Sequence, residues 1–114
     1  MNSVQLIGRL TRDIDVDYPR EKAVARFTLA INRRRKDDGA DFVSCVAFGK
    51  TAEIMGRSIS KGQRVAVVGH IHTSSYEKDG RKVYKTDVIV ESFDFIEKRE
   101  AAPADQMGYD GVPM

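Results

Sequence analysis

The 114-residue chain has a single cysteine, Cys45. A lone thiol cannot close a disulfide within the chain, and it fits a reducing compartment. No apolar run approaches the ~18 residues that a membrane helix needs, and no basic-then-apolar leader opens the sequence. These absences predict a soluble, cytoplasmic protein with no membrane partner. Neither G-x-x-x-x-G-K-[ST] nor G-x-G-x-x-G occurs, so no phosphate-cradling loop is visible. His70 and His72 sit two apart on one strand face and could chelate a metal, but Cys45 and the scattered carboxylates supply no clear third ligand. Surface or interface histidines fit better. Cys45 lies mid-strand on an apolar face, where a free cysteine is usually core filler rather than a nucleophile. No complete catalytic site is visible, so no enzyme activity, cofactor or metal is expected.

The length is one domain's worth, enough to bury a core without staples. Residues 1–100 hold all 19 Lys and Arg and 15 of the 17 acids, a net of +4. That balance permits an anionic partner without demanding one.

Alternation organises most of the chain. Residues 3–11 place Val4, Leu6, Gly8 and Leu10 on one face, with Ile7 on the other. Residues 12–22 are acidic, hold Pro19, and read as a connection. Residues 23–35 put Ala25, Phe27, Leu29 and Ile31 on one face and Arg26, Thr28, Ala30 and Asn32 on the other. Asp38-Gly39 signals a hairpin turn into "ADFVSCVAFGK" (40–50). There Phe42, Ser44, Val46 and Phe48 share one face, opposite Val43, Cys45 and Ala47.

Residues 50–62 break the alternation. Ala52, Met55 and Ile59 form a helical stripe, with Thr51 as the expected N-cap and Gly62 as the expected stop. Gly56 implies a short helix. Residues 63–76 return to strand. Asp79-Gly80 signals a second turn into a long strand over 82–98, bent near Ser92. Residues 101–114 are small, polar and contain Pro and Gly, which reads as a flexible tail. The expected architecture is an all-β small barrel of the OB-fold type. It has five strands and one short helix after the third strand. The expected division is a domain over 1–99 and a short tail over 100–114.

Two basic groups invite an anion. Arg33, Arg34, Arg35 and Lys36 run consecutively at a hairpin tip, a pattern that serves equally as a solvated loop or as phosphate contacts. Arg26, Lys50, Lys78, Arg81, Lys82 and Lys85 lie on neighbouring strands or turns. Aromatics accompany them: Phe42 and Phe48 on the face away from the aliphatic one, Tyr76 and Tyr84 flanking the second hairpin. Rings among cations suit single-stranded nucleic acid, since each base has a face to stack and the cations follow the phosphates. Packing is the alternative for every ring, and the preferred one for Phe27, Phe93 and Phe95.

The blocks "VQLIGRLTRD", "AVARFTLAINR", "DFVSCVAFGKTAE", "KGQRVAVVGHI" and "SYEKDGRKVYKTDVIVESFDFIE" together resemble the bacterial-type single-stranded DNA-binding protein family over residues 1–97. The resemblance implies an OB-fold homotetramer that coats single-stranded DNA during replication, recombination and repair, at the nucleoid. It implies base stacking by Phe42, Phe48 and Tyr76. Phosphate contacts are expected from Arg33, Arg34, Arg35, Lys36, Lys50, Lys78 and Lys82. Arg35 stands where the family commonly has another stacking aromatic; a guanidinium can stack or pair with phosphate. Asn2, Val4, Leu6 and Ile7 match the family's subunit-pairing strand, with core packing in a bent strand as the alternative for Ile7. Family tails usually end in an acidic tip closing on Pro-Phe, which recruits replication and repair proteins. Here residues 109–114 read "YDGVPM", with few acids and no terminal aromatic, which counts against such recruitment. A rival reading is an adaptor of the same fold that binds single strands weakly and a replication protein strongly.

Overall fold

The computed structural model describes residues 1–35 and 39–96. Lys36, part of the first hairpin turn and the tail over 100–114 lie outside the described residues.

Six strands and one helix form in the order β1 (Val4–Leu10), β2 (Asp15–Asp17), β3 (Val24–Asn32), β4 (Ala40–Phe48), α1 (Gly49–Ser58), β5 (Arg64–Lys78) and β6 (Arg81–Phe95). Neighbours run β1-β5-β6-β4-β3-β2, and β1 pairs again with β3 through Arg9↔Ala30 and Leu10↔Leu29. The second pairing closes five strands into a ring, with β2 appended beside β3. All pairings are antiparallel except β4 with β6, which run parallel at Cys45↔Val88 and Val46↔Ile89.

The expected five strands are therefore six, and the helix follows the fourth rather than the third. The extra strand lies in the segment read as a connection. Three residues with acids at both ends carry no readable alternation. The strand is held from outside: Asp15 and Asp17 flank Arg26 of β3, with Arg26 Nη1 4.0 Å from Asp17. Val16 packs against the helix at Gly56, where an added Cβ would come within 2.6 Å of the valine methyl. The glycine that weakened the helical pattern is what lets β2 lie there.

The inward faces follow the alternation. Leu10, Ala25, Phe27, Leu29, Cys45, Ala47, Val65, Val67, Val88 and Val90 fill the ring, and Ala52, Met55 and Ile59 bring the helix stripe onto it. Each large apolar side chain buried this way contributes about 1.5–3 kcal/mol. The helix bounds differ from expectation. Helix α1 starts directly from extended Phe48, whose side chain makes no cap, so Thr51 lies within the first turn. The Gly49 N–H donates to the Ala23 carbonyl at 2.8 Å instead. The helix ends at Ser58, because Ile59 is already extended and buries its side chain in the core. Gly62 serves the next turn, its N–H donating to the Leu10 carbonyl at 2.9 Å.

The second hairpin turns as expected. Asp79 (φ 54°) and Gly80 (φ 78°) both adopt left-handed backbone between the Lys78↔Arg81 pair, the form that matches strand twist. The irregularity expected near Ser92 is a bulge. Val68 pairs with Ser92 but Gly69 with Val90, which leaves Glu91 as the extra residue.

Candidate nucleic-acid interface

Strand register decides which side chains share the outer surface. On β4, Phe42, Ser44, Val46 and Phe48 point away from buried Cys45 and Ala47. Phe42 is 69% exposed and Phe48 43%. Six residues of strand separate the rings by about 20 Å, so each meets a different base. On β5 the core face carries Val65 and Val67, so Tyr76 belongs to the outer face with His70, His72 and Ser74. Tyr76 is 52% exposed.

Tyr76 and Phe42 occupy the same end of the ring, because β4 and β6 start there side by side and run parallel. Tyr84 pairs with Ser75 and so lies on the opposite face, although it is also exposed. The flanking tyrosines of the hairpin therefore face opposite ways.

The cations divide similarly. Arg34 and Arg35 are exposed beside the end of β3, near Phe42. Arg33 is exposed there too, and its Nε–H donates to Asp41 at 3.0 Å. Lys50, exposed in the first turn of α1, stands by Phe48. Lys78 closes the second hairpin on the Tyr76 face, and Lys82, opposite Glu77, lies on the Tyr84 face. The register thus groups Phe42, Tyr76, Arg34, Arg35 and Lys78 at one end and Phe48 with Lys50 at the other. Lys82 stands apart from both.

Three further positions join this surface. Lys85 lies three residues before Val88, as Phe42 lies three before Cys45, so the two are level across β4 and β6. Arg26 lies opposite Val46 on the outer face, and Arg12 stands beside it. Arg12, Asp15, Arg26, Phe27, Thr28 and Ser44 line a shallow depression of about 200 Å³. Arg26 and Lys85 were visible in the sequence as neighbouring bases. Arg12 was not, because it precedes the strand that the pattern missed. Asp87 was not either: it is a buried carboxylate on the outer face, accepting from Ser44 Oγ at 2.7 Å.

Cys45 is fully buried, and burial first, then the charge of Asp87, pushes its thiol up to about 12. A thiol held protonated at neutral pH is a poor nucleophile. His70 Nδ1 lies 2.7 Å from Glu91 Oε2, and His72 lies across from Asp87. Among the described residues no three potential ligands gather to hold a metal ion. No helix of the described residues is long and apolar enough to cross a membrane.

At the amino end, Asn2 extends the pairing of β1 with its side chain. Its Nδ2 donates to the Ile71 carbonyl at 2.8 Å, and its Oδ1 accepts from the Ile71 N–H at 2.9 Å. Val4 and Leu6 pack against the core, while Ile7 is exposed. Strand β1 meets β5 along Val4–Arg9 but β3 only at Arg9 and Leu10. One edge of Val4–Gly8 is therefore unpaired within the described residues.

The Single-strand binding protein family matches residues 1–96. This chain belongs to that family. The closed ring with its helix between β4 and β5 is the OB-fold expected from the sequence. Similar proteins include a Single-stranded DNA-binding protein of Clostridium perfringens, 52% identical over 96% of this chain and 75% of the relative. Single-stranded DNA-binding protein 1 of Streptococcus pyogenes is 44% identical over 99% of this chain and 92% of the relative. A third family member, the Single-stranded DNA-binding protein of Enterococcus faecalis, is 44% identical over 97% of this chain and 61% of its own length.

Proposed function

We propose that this protein binds single-stranded DNA without catalysis. It coats and protects strands exposed during replication, recombination and repair, in the cytoplasm at the nucleoid. The observation that carries this reading is the shared outer face of Phe42, Phe48 and Tyr76, three rings exposed on the side away from the core. Phe42, Phe48 and Tyr76 stack bases. Arg33, Arg34, Arg35, Lys36, Lys50 and Lys78 neutralise phosphates along the track, and Lys82 engages strand that wraps past the second hairpin. Neither kind of contact reads base edges strongly, so the protein tolerates most sequences. Residues 1–99 carry this binding and residues 100–114 form an appended tail.

In this reading the protein works as a homotetramer. The open edge of β1 supports that: its unpaired N–H and C=O groups are a template for a second copy. Asn2 and Val4 border this edge, Leu6 backs it from the core side, and Ile7 offers apolar surface.

Titration with oligo-dT at two salt concentrations tests the function. Binding should be sub-micromolar at low salt and much weaker to duplex. It should fall as salt rises, with a log–log slope of about −0.7 per phosphate neutralised rather than the −0.9 of duplex. Equal affinity for duplex, or no response to salt, would overturn the reading. Micromolar binding at low salt would favour an adaptor over a coating protein.

A further inference from the structure

Strand register sorts the outer face into rows that cross the sheet. Two rows separate Phe42 from Phe48. One holds Thr28, Ser44, Asp87 and His72, and the next holds Arg26, Val46, Ile89 and His70. The shallow depression of about 200 Å³ reaches from Ser44 to Arg26, so it opens in these two rows on the β3 side of the rings.

The two flanks of the rows differ in charge. On the β6 and β5 flank lie two carboxylates, both engaged. Asp87 accepts from Ser44 Oγ at 2.7 Å and lies 3.7 Å from Lys85 Nζ, and Glu91 lies 2.7 Å from His70 Nδ1. On the β3 flank, Arg12 and Arg26 line the depression together. Arg12 is exposed and has no ion pair among the described residues. Arg26 meets Asp17 only at 4.0 Å, with both side chains more than half exposed, a pair that water screens and that holds the guanidinium weakly. Asp15 is the one carboxylate of the lining. Two guanidinium groups against one carboxylate leave room for one more negative charge, which is what a phosphodiester carries. The Ser44 hydrogen is committed to Asp87, so the donors that the lining offers are the two guanidinium forks and the Thr28 hydroxyl.

Bases stacked on Phe42 and Phe48 lie about 20 Å apart, so the backbone that joins them crosses both intervening rows. Its phosphates are drawn to the flank with spare positive charge and away from the flank with carboxylates. We infer that the depression is a phosphate subsite in which Arg12 and Arg26 grip one phosphate between the bases on Phe42 and Phe48, an assignment that rests on the proposed binding of single-stranded DNA to this face. The grip fixes the backbone on the β3 side of the rings. Guanidinium groups suit it because their planar forks match phosphate oxygens.

The test is a double-substitution cycle on oligo-dT binding by the full chain, repeated over a salt series. Arg12→Gln and Arg26→Gln should each weaken binding about 3- to 10-fold at low salt. Once either guanidinium is gone, the shared phosphate is no longer gripped. The double variant should therefore lose at least about twofold less than the product of the single losses. Its log–log salt slope should flatten by about 0.7, the value for one phosphate. Asp17→Asn breaks the same ion pair as Arg26→Gln but keeps the guanidinium, and should leave affinity within about twofold of the parent or tighten it. A loss from Asp17→Asn equal to that from Arg26→Gln would trace the effect to a loosened β2 and overturn the inference. Unchanged affinity in both arginine variants, or losses that multiply with a slope change of about 1.4, overturns it while the DNA-binding reading stands. Failure of the parent chain to bind oligo-dT overturns both.

Discussion

Replacing Phe42 and Phe48 together by alanine is expected to weaken oligo-dT binding at least about 30-fold while the chain stays folded. Base stacking on an aromatic is worth about 1–3 kcal/mol per base, so two rings account for at least ~2 kcal/mol, and each 1.4 kcal/mol is tenfold. Both rings stand on the outer face of β4, opposite buried Cys45 and Ala47, so removing them opens no cavity in the core. The contacts expected to be lost are those with the ligand. Titration and thermal melting, run on the same preparation, separate the two consequences. Unchanged affinity would remove the rings from the interface. A melting temperature lowered by tens of degrees would mean that they hold the fold together.

Gly69→Ala is expected to do the reverse, weakening the fold rather than the contact. Gly69 sits at the β5–β6 bulge, where a Cβ would lie 1.9 Å from the Ile89 carbonyl oxygen and 2.9 Å from its carbon. That neighbour is backbone in the central strand pair of the ring, so no rotamer change relieves it. Moving it means parting β5 from β6. Overpacking typically costs 1–3 kcal/mol where side chains can yield. Here the cost should reach about 3 kcal/mol or more, lowering the melting temperature by ~12 °C or more for a domain of this size. A melt within two or three degrees of the parent would show that the bulge relaxes freely.

Most of the ring was legible because its strands are half-buried. Alternation at Ala25, Phe27, Leu29 and Ile31, and at Phe42 through Phe48, records which side meets the core. The Asp79-Gly80 turn was legible because two consecutive positive φ angles demand those residue types. Strand β2 left no such record. Its three residues owe their conformation to Arg26 and to the space above Gly56, both distant in sequence. The helix ends shifted for a related reason: Gly49 is anchored by the Ala23 carbonyl and Gly62 by that of Leu10, partners that no local signal names.

The interface divides along the same line. Phe42 and Phe48 could be placed on one face from a single strand. Assigning Tyr76 to that face, and Tyr84 and Lys82 to the other, required the register between β5 and β6. Asp87 was hidden because a carboxylate in an otherwise apolar-and-polar alternation looks solvated. Only the parallel pairing of β4 with β6 brings Ser44 over it.

Single-stranded DNA is expected to run over the outer face of β3, β4, β6 and β5. Photo-crosslinking the protein to oligo-dT, followed by mass mapping of the modified peptides, tests it most directly. Adducts are expected at Phe42, Phe48 and Tyr76, and few at Tyr84. Adducts concentrated on Tyr84, with Phe42 and Phe48 unmodified, would contradict that path.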